Sequence, residues 1–263
     1  MTGHISYLEA KRELDDRSLD RRVLSIAFGP LSDAPRIVEV GAGTLTMVER
    51  LHEWGVLDGG EWTAIDSHAR ALRHGRRRLL ERPDATATDD GVALGTINVR
   101  LRETDAFTYE PRGPPAALLV GCAFFDLVDL DRLSAFAPFA DRVYAPITYD
   151  GTTSFEPADR EDEAVLSAYR EHMESHRPGT PDGARALRAA LASVDRVGAS
   201  PWEIVPPYRI EEARVVDAVL ETIERAVAET GFSARGWADR RRAQLAEGKL
   251  RYRAENVDIY GRM

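Results

Sequence analysis

RIVEVGAGTLTM, from Arg36 to Met47, decides the fold. A short β-branched run ends at Gly41 and Gly43, and Leu45, Met47, Val48 and Leu51 then recur at helical spacing until Gly55 stops them. The pattern is strand, glycine turn, helix. Downstream, EWTAID predicts a second strand ending in Asp66, and the arginine-rich stretch from Ala69 to Arg82 a second helix. Asp84 to Gly95 is polar and reads as a loop, with a third strand expected at INVRLRETD, from Ile97 to Asp105. After PRGPP, the apolar run AALLVGCAFFDLV reads as a central strand covered on both faces, LDRLSAFAPF as a helix and DRVYAPITYDG as a fifth strand. Strands alternating with helices at this spacing predict an α/β fold with a doubly wound, mostly parallel sheet.

Beyond Gly151, helical stretches are expected at Glu161 to His176, Gly183 to Val194, Glu211 to Thr230 and Ser233 to Glu247. RVGASPWEIVP and KLRYRAENVDIYG supply the sixth and seventh strands. Before the glycine turn, Tyr7, Leu8, Leu14, Leu19, Val23 and Ile26 recur at helical spacing among charges. The expected whole is a seven-stranded sheet with helical lid insertions in a single domain. Residues 1–30 form an N-terminal helical lid, 31–150 a cofactor-binding core, and 151–263 helical insertions plus the last two strands.

Open α/β sheets bind ligands outside the carboxyl ends of their strands. Gly41 and Gly43 occupy such an end, where a tight turn lets backbone approach a ligand and the following helix offers free N–H groups. Asp66 ends the second strand, placed for a ribose diol, and Asp105 follows the third. Two ligand classes use such a turn. A dinucleotide fingerprint needs G-x-G-x-x-G, and here position 46 is Thr. Glu39, two residues before the first glycine, repels a phosphate but receives the ammonium of an amino-acid-bearing ligand, directly or through water. The reading favours S-adenosylmethionine over NAD.

VEVGAGTLTM, the acid in TAID, the TDAF segment and the late pair of strands resemble a class I S-adenosylmethionine-dependent methyltransferase. YLEAKRELDDRSLDRRV, VYAPITYDGTTSFEP, ASPWEIVP and ADRRRAQLAEGKLRYRAENVDIYG extend the likeness over most of the chain, to a little-characterised subgroup of small-molecule type. The resemblance implies a Rossmann-like methyltransferase fold and S-adenosylmethionine as cofactor. It places Glu39, Gly41, Ala42 and Gly43 at the methionine moiety, Asp66 at the ribose, Asp105 and Ala106 at the adenine, and Gly121 beside the cofactor after strand four. Two departures stand out. Leu45 takes the place of the third glycine in E/D-x-G-x-G-x-G, and Gly121-Cys122-Ala123-Phe124-Phe125-Asp126 replaces the Asn/Asp-Pro-Pro-aromatic tetrad of amide and amino methylating enzymes.

No catalytic residue is fixed by sequence. Tyr149 and Asp150 end the fifth strand at the ligand edge, although Asp-Gly is also a common turn pair. His172 and His176 share a helix face at i, i+4 and suit a base, with a solvated face as the plainer reading; no third ligand accompanies them, so no metal is expected. Cys122, the single cysteine, reads as a small buried residue, Trp202 as core, and Arg240, Arg241 and Arg242 as solvent-facing. Tyr7, Lys11, Arg12 and Arg17 read as a charged, solvated face that alternatively closes over the cofactor.

In 263 residues the formal net charge is −9, which argues against a polyanion binder, so nucleic acid is not expected as a partner. No apolar run is long enough to span a bilayer, and the N-terminus carries charge where a signal peptide needs an apolar core, so a soluble, cytoplasmic protein without membrane contact is expected. The function expected is methyl transfer to a small-molecule acceptor. An NAD(P)-dependent oxidoreductase and a non-catalytic S-adenosylmethionine-binding protein are the alternatives, and a homodimer is compatible with each.

Overall fold

Ile37, Val38 and Val40 are buried in β1 (Arg36–Val40), the strand that RIVEV predicts. The structure, a computed structural model, describes residues 3–176 and 180–263. Helix α4 (Thr46–Glu53) leaves the glycine turn and delivers the chain to β2 (Gly60–Asp66), and α5 (Ala69–Leu79) follows. Next come β5 (Ile97–Glu103), β6 (Leu118–Val120) and β7 (Arg142–Glu156). These strands pair in parallel in the order β5-β2-β1-β6-β7, so the chain reverses direction across the sheet beside β1. That reversal is the switch point at which a doubly wound sheet opens a crevice.

The sheet is wider than seven strands. Its order is β3 (Ala85–Thr88), β4 (Gly91–Leu94), β5, β2, β1, β6, β7, β10 (Arg251–Arg262), β8 (Ser193–Ala199), with β9 (Trp202–Ile204) also on β10, ten strands among the described residues. Residues 84–95, expected as a loop, instead form the hairpin β3 (Ala85–Thr88) and β4 (Gly91–Leu94), which pairs antiparallel with β5. The physical reason is packing: Val92 and Leu94 are fully buried under α5 and alternate with partly covered neighbours, which a polar average over the segment conceals. RVGASPWEIVP splits into β8 (Ser193–Ala199) and β9 (Trp202–Ile204), both antiparallel to β10 (Arg251–Arg262).

One further expectation changes. LDRLSAF is a 3-10 helix, Leu130–Phe136, started by Asp129 whose carboxylate accepts from the Asp131 N–H at 3.0 Å. The link from β5 to β6 carries Pro111, Gly113, Pro114 and Pro115 and no described helix, so one sheet face is left open over β1, β2 and β5. Its floor is polar, with the Arg100–Glu61 ion pair and Arg102 on Asp90 at 2.9 Å. The opposite face is closed by α4 and α5, with Val48, Leu51, Leu72 and Leu79 against Trp62, Ala64 and Val99.

Helices α6 (Asp162–His176), α7 (Gly183–Ala190), α8 (Ile210–Glu229) and α9 (Arg235–Ala246) fill the remainder. Val215, Val216, Leu220 and Ile223 of α8 form a second core with Phe155, Trp237 and Tyr252. At the start of the chain, α1 (Gly3–Ala10) borders the crevice and α2 (Arg12–Ser18) packs on β9, whereas α3 (Arg21–Phe28) docks on β8 and β10 and buries Val23, Leu24 and Ala27. Polar contacts hold the first two: Arg12 meets Glu49 at 3.2 Å, and Arg78 of α5 bridges Glu9 and Glu49 at 2.5 and 2.6 Å. Among the described residues no helix is long and apolar enough to cross a membrane.

Candidate functional site

The glycine turn bends back on itself through three left-handed residues, Gly41 at φ 66°, Gly43 at φ 52° and Leu45 at φ 62°. The third conformation belongs to the position where the common motif carries glycine. At Gly41 the missing side chain is a steric necessity as well, because a Cβ there would stand 2.5 Å from Phe124 Cδ2. Asp66 ties the turn to the end of β2: one carboxylate oxygen accepts from the Gly43 N–H at 2.8 Å and the other from the His68 N–H at 2.6 Å. Asp105 closes its own Asx turn by accepting from the Phe107 N–H at 2.8 Å.

Glu39, Gly41, Ala42, Gly43, Asp66, Asp105 and Ala106 all line one cavity of about 480 Å³ at the carboxyl ends of β1, β2 and β5. Glu39 is almost wholly buried. Its Oε2 accepts from the Trp62 indole N–H at 3.0 Å, yet burial outweighs that bond and pushes the carboxyl up to about 8. At the far end, Phe107 carries the Arg132 guanidinium 4.2 Å above its ring and leans on Phe136. Cys122 also lines the cavity, and burial pushes its thiol up to about 12, so it is no thiolate nucleophile at neutral pH.

A second chamber of about 440 Å³ adjoins the first. Tyr7, Tyr149, Tyr169, Tyr252 and Trp202 give it aromatic walls, with Ile147 and Met173 between them. Lys11 borders both spaces. It is buried and ion-paired with Asp15, whose other oxygen accepts from the Trp202 indole N–H at 3.1 Å. Backbone strain collects at this junction: Ala123 has φ 49° and the β-branched Ile147 has φ 54°. Buried Asp258 holds Ile147 there by accepting its N–H at 3.0 Å, and also accepts from Tyr144 Oη and the Asp20 N–H.

Gly121, in contrast to its sequence assignment, lines neither space; its N–H donates to the Tyr144 carbonyl at 3.1 Å inside the sheet. Tyr149 faces the second chamber and its hydroxyl bonds Thr153 Oγ1 at 2.9 Å, but Asp150 is exposed and lines neither. His172 is buried on α6 with Nδ1 3.7 Å from a Glu229 oxygen, also away from both. The His176 side chain lies outside the described residues. Arg12 and Arg17 are engaged with Glu49 and Glu212 rather than with the cavity. Sequence reading missed His4, which borders both spaces, belongs to no motif and is brought in only by the tertiary fold; it also missed Phe107, which stands inside the TDAF segment beside Asp105 and Ala106.

No family model and no curated protein matches the chain. Among solved structures, a candidate methyltransferase from Bacillus halodurans C-125 is similar over 92% of this chain and 96% of its own, at 10% identity and a TM-score of 0.52. The fold is that of the class I methyltransferases. Strand order, the antiparallel β10 and the cavity at the switch point are the parts of that methyltransferase fold that position the site. A geranyl diphosphate C-methyltransferase from Streptomyces coelicolor A3(2) is similar at 15% identity over 92% of this chain and 77% of its own, TM-score 0.48. A cyclopropane synthase from Mycobacterium tuberculosis is similar at 10% identity over 97% and 98%, TM-score 0.47.

Proposed function

We propose that this chain transfers a methyl group from S-adenosylmethionine to a small-molecule acceptor held in the aromatic chamber. The observation that carries the reading is the convergence of Glu39, Asp66 and Asp105 from three strand ends on one cavity that opens into a second. The residues suit the group. Glu39 offers a buried carboxylate to the methionine ammonium, Gly41 leaves the space a side chain would fill, Asp66 keeps lone pairs for a ribose diol, and Asp105 with Phe107 suits adenine. A dinucleotide would set pyrophosphate near Glu39, against which the acid is repulsive. When bound, S-adenosylmethionine supplies an electrophilic methyl on a sulfonium. The protein's share is to hold donor and acceptor in line.

Calorimetry with S-adenosylhomocysteine and NADH separates the two ligand classes, and binding of the first alone is expected. Asp66→Ala should weaken S-adenosylhomocysteine by roughly 1.5 to 3 kcal/mol, because it removes a charged acceptor of the ribose hydrogen bonds. Unchanged affinity in a folded variant would place the ribose elsewhere.

Glu39 gives binding a proton signature. Its carboxyl is raised to about 8, so at pH 7 it is mostly protonated in the free protein, and a cationic ligand favours the ionised form. S-adenosylmethionine should therefore displace close to one proton at pH 7, and its affinity should rise with pH by at most about tenfold per unit before levelling off above pH 8. Observed enthalpies that differ between phosphate and Tris report the proton; Glu39→Gln should abolish the difference.

On the same reading the acceptor is a free small molecule met in the cytoplasm rather than nucleic acid or membrane, in keeping with the charge of −9. A homodimer is compatible with it, and sedimentation equilibrium decides that point.

A further inference from the structure

His4, Leu8, Lys11, Ala123 and Leu127 line both cavities, so an acceptor atom reaching toward a methyl group passes between them. Only His4 and Lys11 of these titrate. Lys11 is a cation already, paired with Asp15 and set 5.5 Å from the Trp202 ring, and has no lone pair to offer. Tyr7 and Tyr149 keep their own protons, since burial pushes both phenols up to about 12. Asp126 lines the second chamber but not the first. His4 alone stands at the junction with a nitrogen able to take a proton. Its ring stacks on His68 with centroids 4.9 Å apart. Partial burial first, then His68 and Lys11, hold it below the ordinary imidazole value against the pull of Asp66, so it is neutral at pH 7; Asp126 and Arg225 are the other charges on the wall of the second chamber.

We propose that His4 is the general base of the reaction and that the acceptor is a flat aromatic molecule whose nucleophile is a phenolic hydroxyl. The proposal rests on the methyltransferase reading above. Five aromatic side chains around a chamber of about 440 Å³ favour a planar ring by stacking and edge contacts. A weak imidazole base is far better matched to a phenol than to an aliphatic alcohol. An ammonium acceptor would meet both Lys11 and the donor's positive charge. In the step, a lone pair of the acceptor oxygen forms the new O–C bond, the hydroxyl proton passes to a ring nitrogen of His4, and the pair of the broken C–S bond stays on sulfur. A phenol and a sulfonium thus become a methyl ether, a thioether and a proton, which the exposed His4 returns to water.

The test combines graded phenols with ligand binding. Wild type and His4→Gln are incubated with methyl-labelled S-adenosylmethionine and phenols ranging from unsubstituted to nitro-substituted, anisole serving as blank. Wild type should methylate the series. His4→Gln should lose about 100-fold or more on weakly acidic phenols and only a few-fold on nitrophenols already ionised at the assay pH. S-adenosylhomocysteine should bind both proteins within about threefold by calorimetry, and in ligand-free protein the His4 ring should titrate by NMR below the ordinary imidazole value, matching the acid limb of the wild-type rate. Equal losses across the series would reduce His4 to a structural part and overturn its role as base. Binding of S-adenosylhomocysteine with no phenol methylated overturns the acceptor class alone, whereas no binding to wild type removes the methyltransferase reading first.

Discussion

Arg241→Ala is expected to lower the free energy of unfolding by about 3 to 5 kcal/mol, the range for breaking a buried ion pair by removing one partner. Arg241 is fully buried on α9, and its guanidinium grips the Asp162 carboxylate at the start of α6. Its other arm donates to the Pro157 carbonyl at 2.6 Å and to Gln244 Oε1 at 2.8 Å. Phe155 and Trp237 lie 5.4 and 5.8 Å from the cation, and Trp237 itself donates to Asp162 at 2.7 Å. Alanine would leave Asp162 without its charged partner, held only by the Trp237 indole and the Asp159 N–H, and open a void between the two helices. Lysine should rescue little, because a point charge cannot serve the carboxylate, the carbonyl and the amide together. Arg235→Ala, at an exposed position of the same helix, should leave a urea midpoint nearly unchanged. A wild-type midpoint for Arg241→Ala would show that water replaces the guanidinium without cost.

The second large effect concerns the turn. Leu45→Ala should destabilise by roughly 2 to 5 kcal/mol, since the leucine is completely buried. Glycine is usually the worse replacement by about 0.5 to 1 kcal/mol. Here the order should reverse or vanish, because Leu45 holds φ 62°, a conformation that costs a side-chain-bearing residue about 1 to 2 kcal/mol and glycine nothing. Leucine is tolerated because α5 supplies Gly75 opposite it: a Cβ at Gly75 would lie 2.9 Å from Leu45 Cγ and 2.3 Å from the Thr44 carbonyl. Paired urea titrations of the alanine and glycine variants read the order directly, and glycine falling well below alanine would sink the strain argument.

These two positions also mark the limits of sequence reading. Leu45 was visible as a departure from a motif, but its left-handed backbone was not, because Gly75 lies a helix away. Glu39, Asp66 and Asp105 were legible since each is an acid beside or at the end of an apolar strand, a local signal that the parallel pairing turns into a shared cavity. Arg241 was not, as three arginines in a row read as a solvated face until Asp162 is brought against the middle one. Lys11 misled in the same way through Asp15 and Trp202. Asp89 and Asp90 form the two-residue turn of the β3–β4 hairpin, a cue present in the sequence but overridden by polar composition. His4 carried no cue, because only the docking of α1 places it between the cavities.

β10 pairs with β7, β8 and β9, so the sheet's second half is assembled around its last strand. During synthesis β7 leaves the ribosome long before β10, and at about 5 to 20 residues per second the wait is on the order of 5 to 20 s. For that interval the long free edge of β7 is a template for neighbouring chains. Mispairing of this protein in a crowded cell is thus expected to concentrate in the interval before residues 251–262 are made.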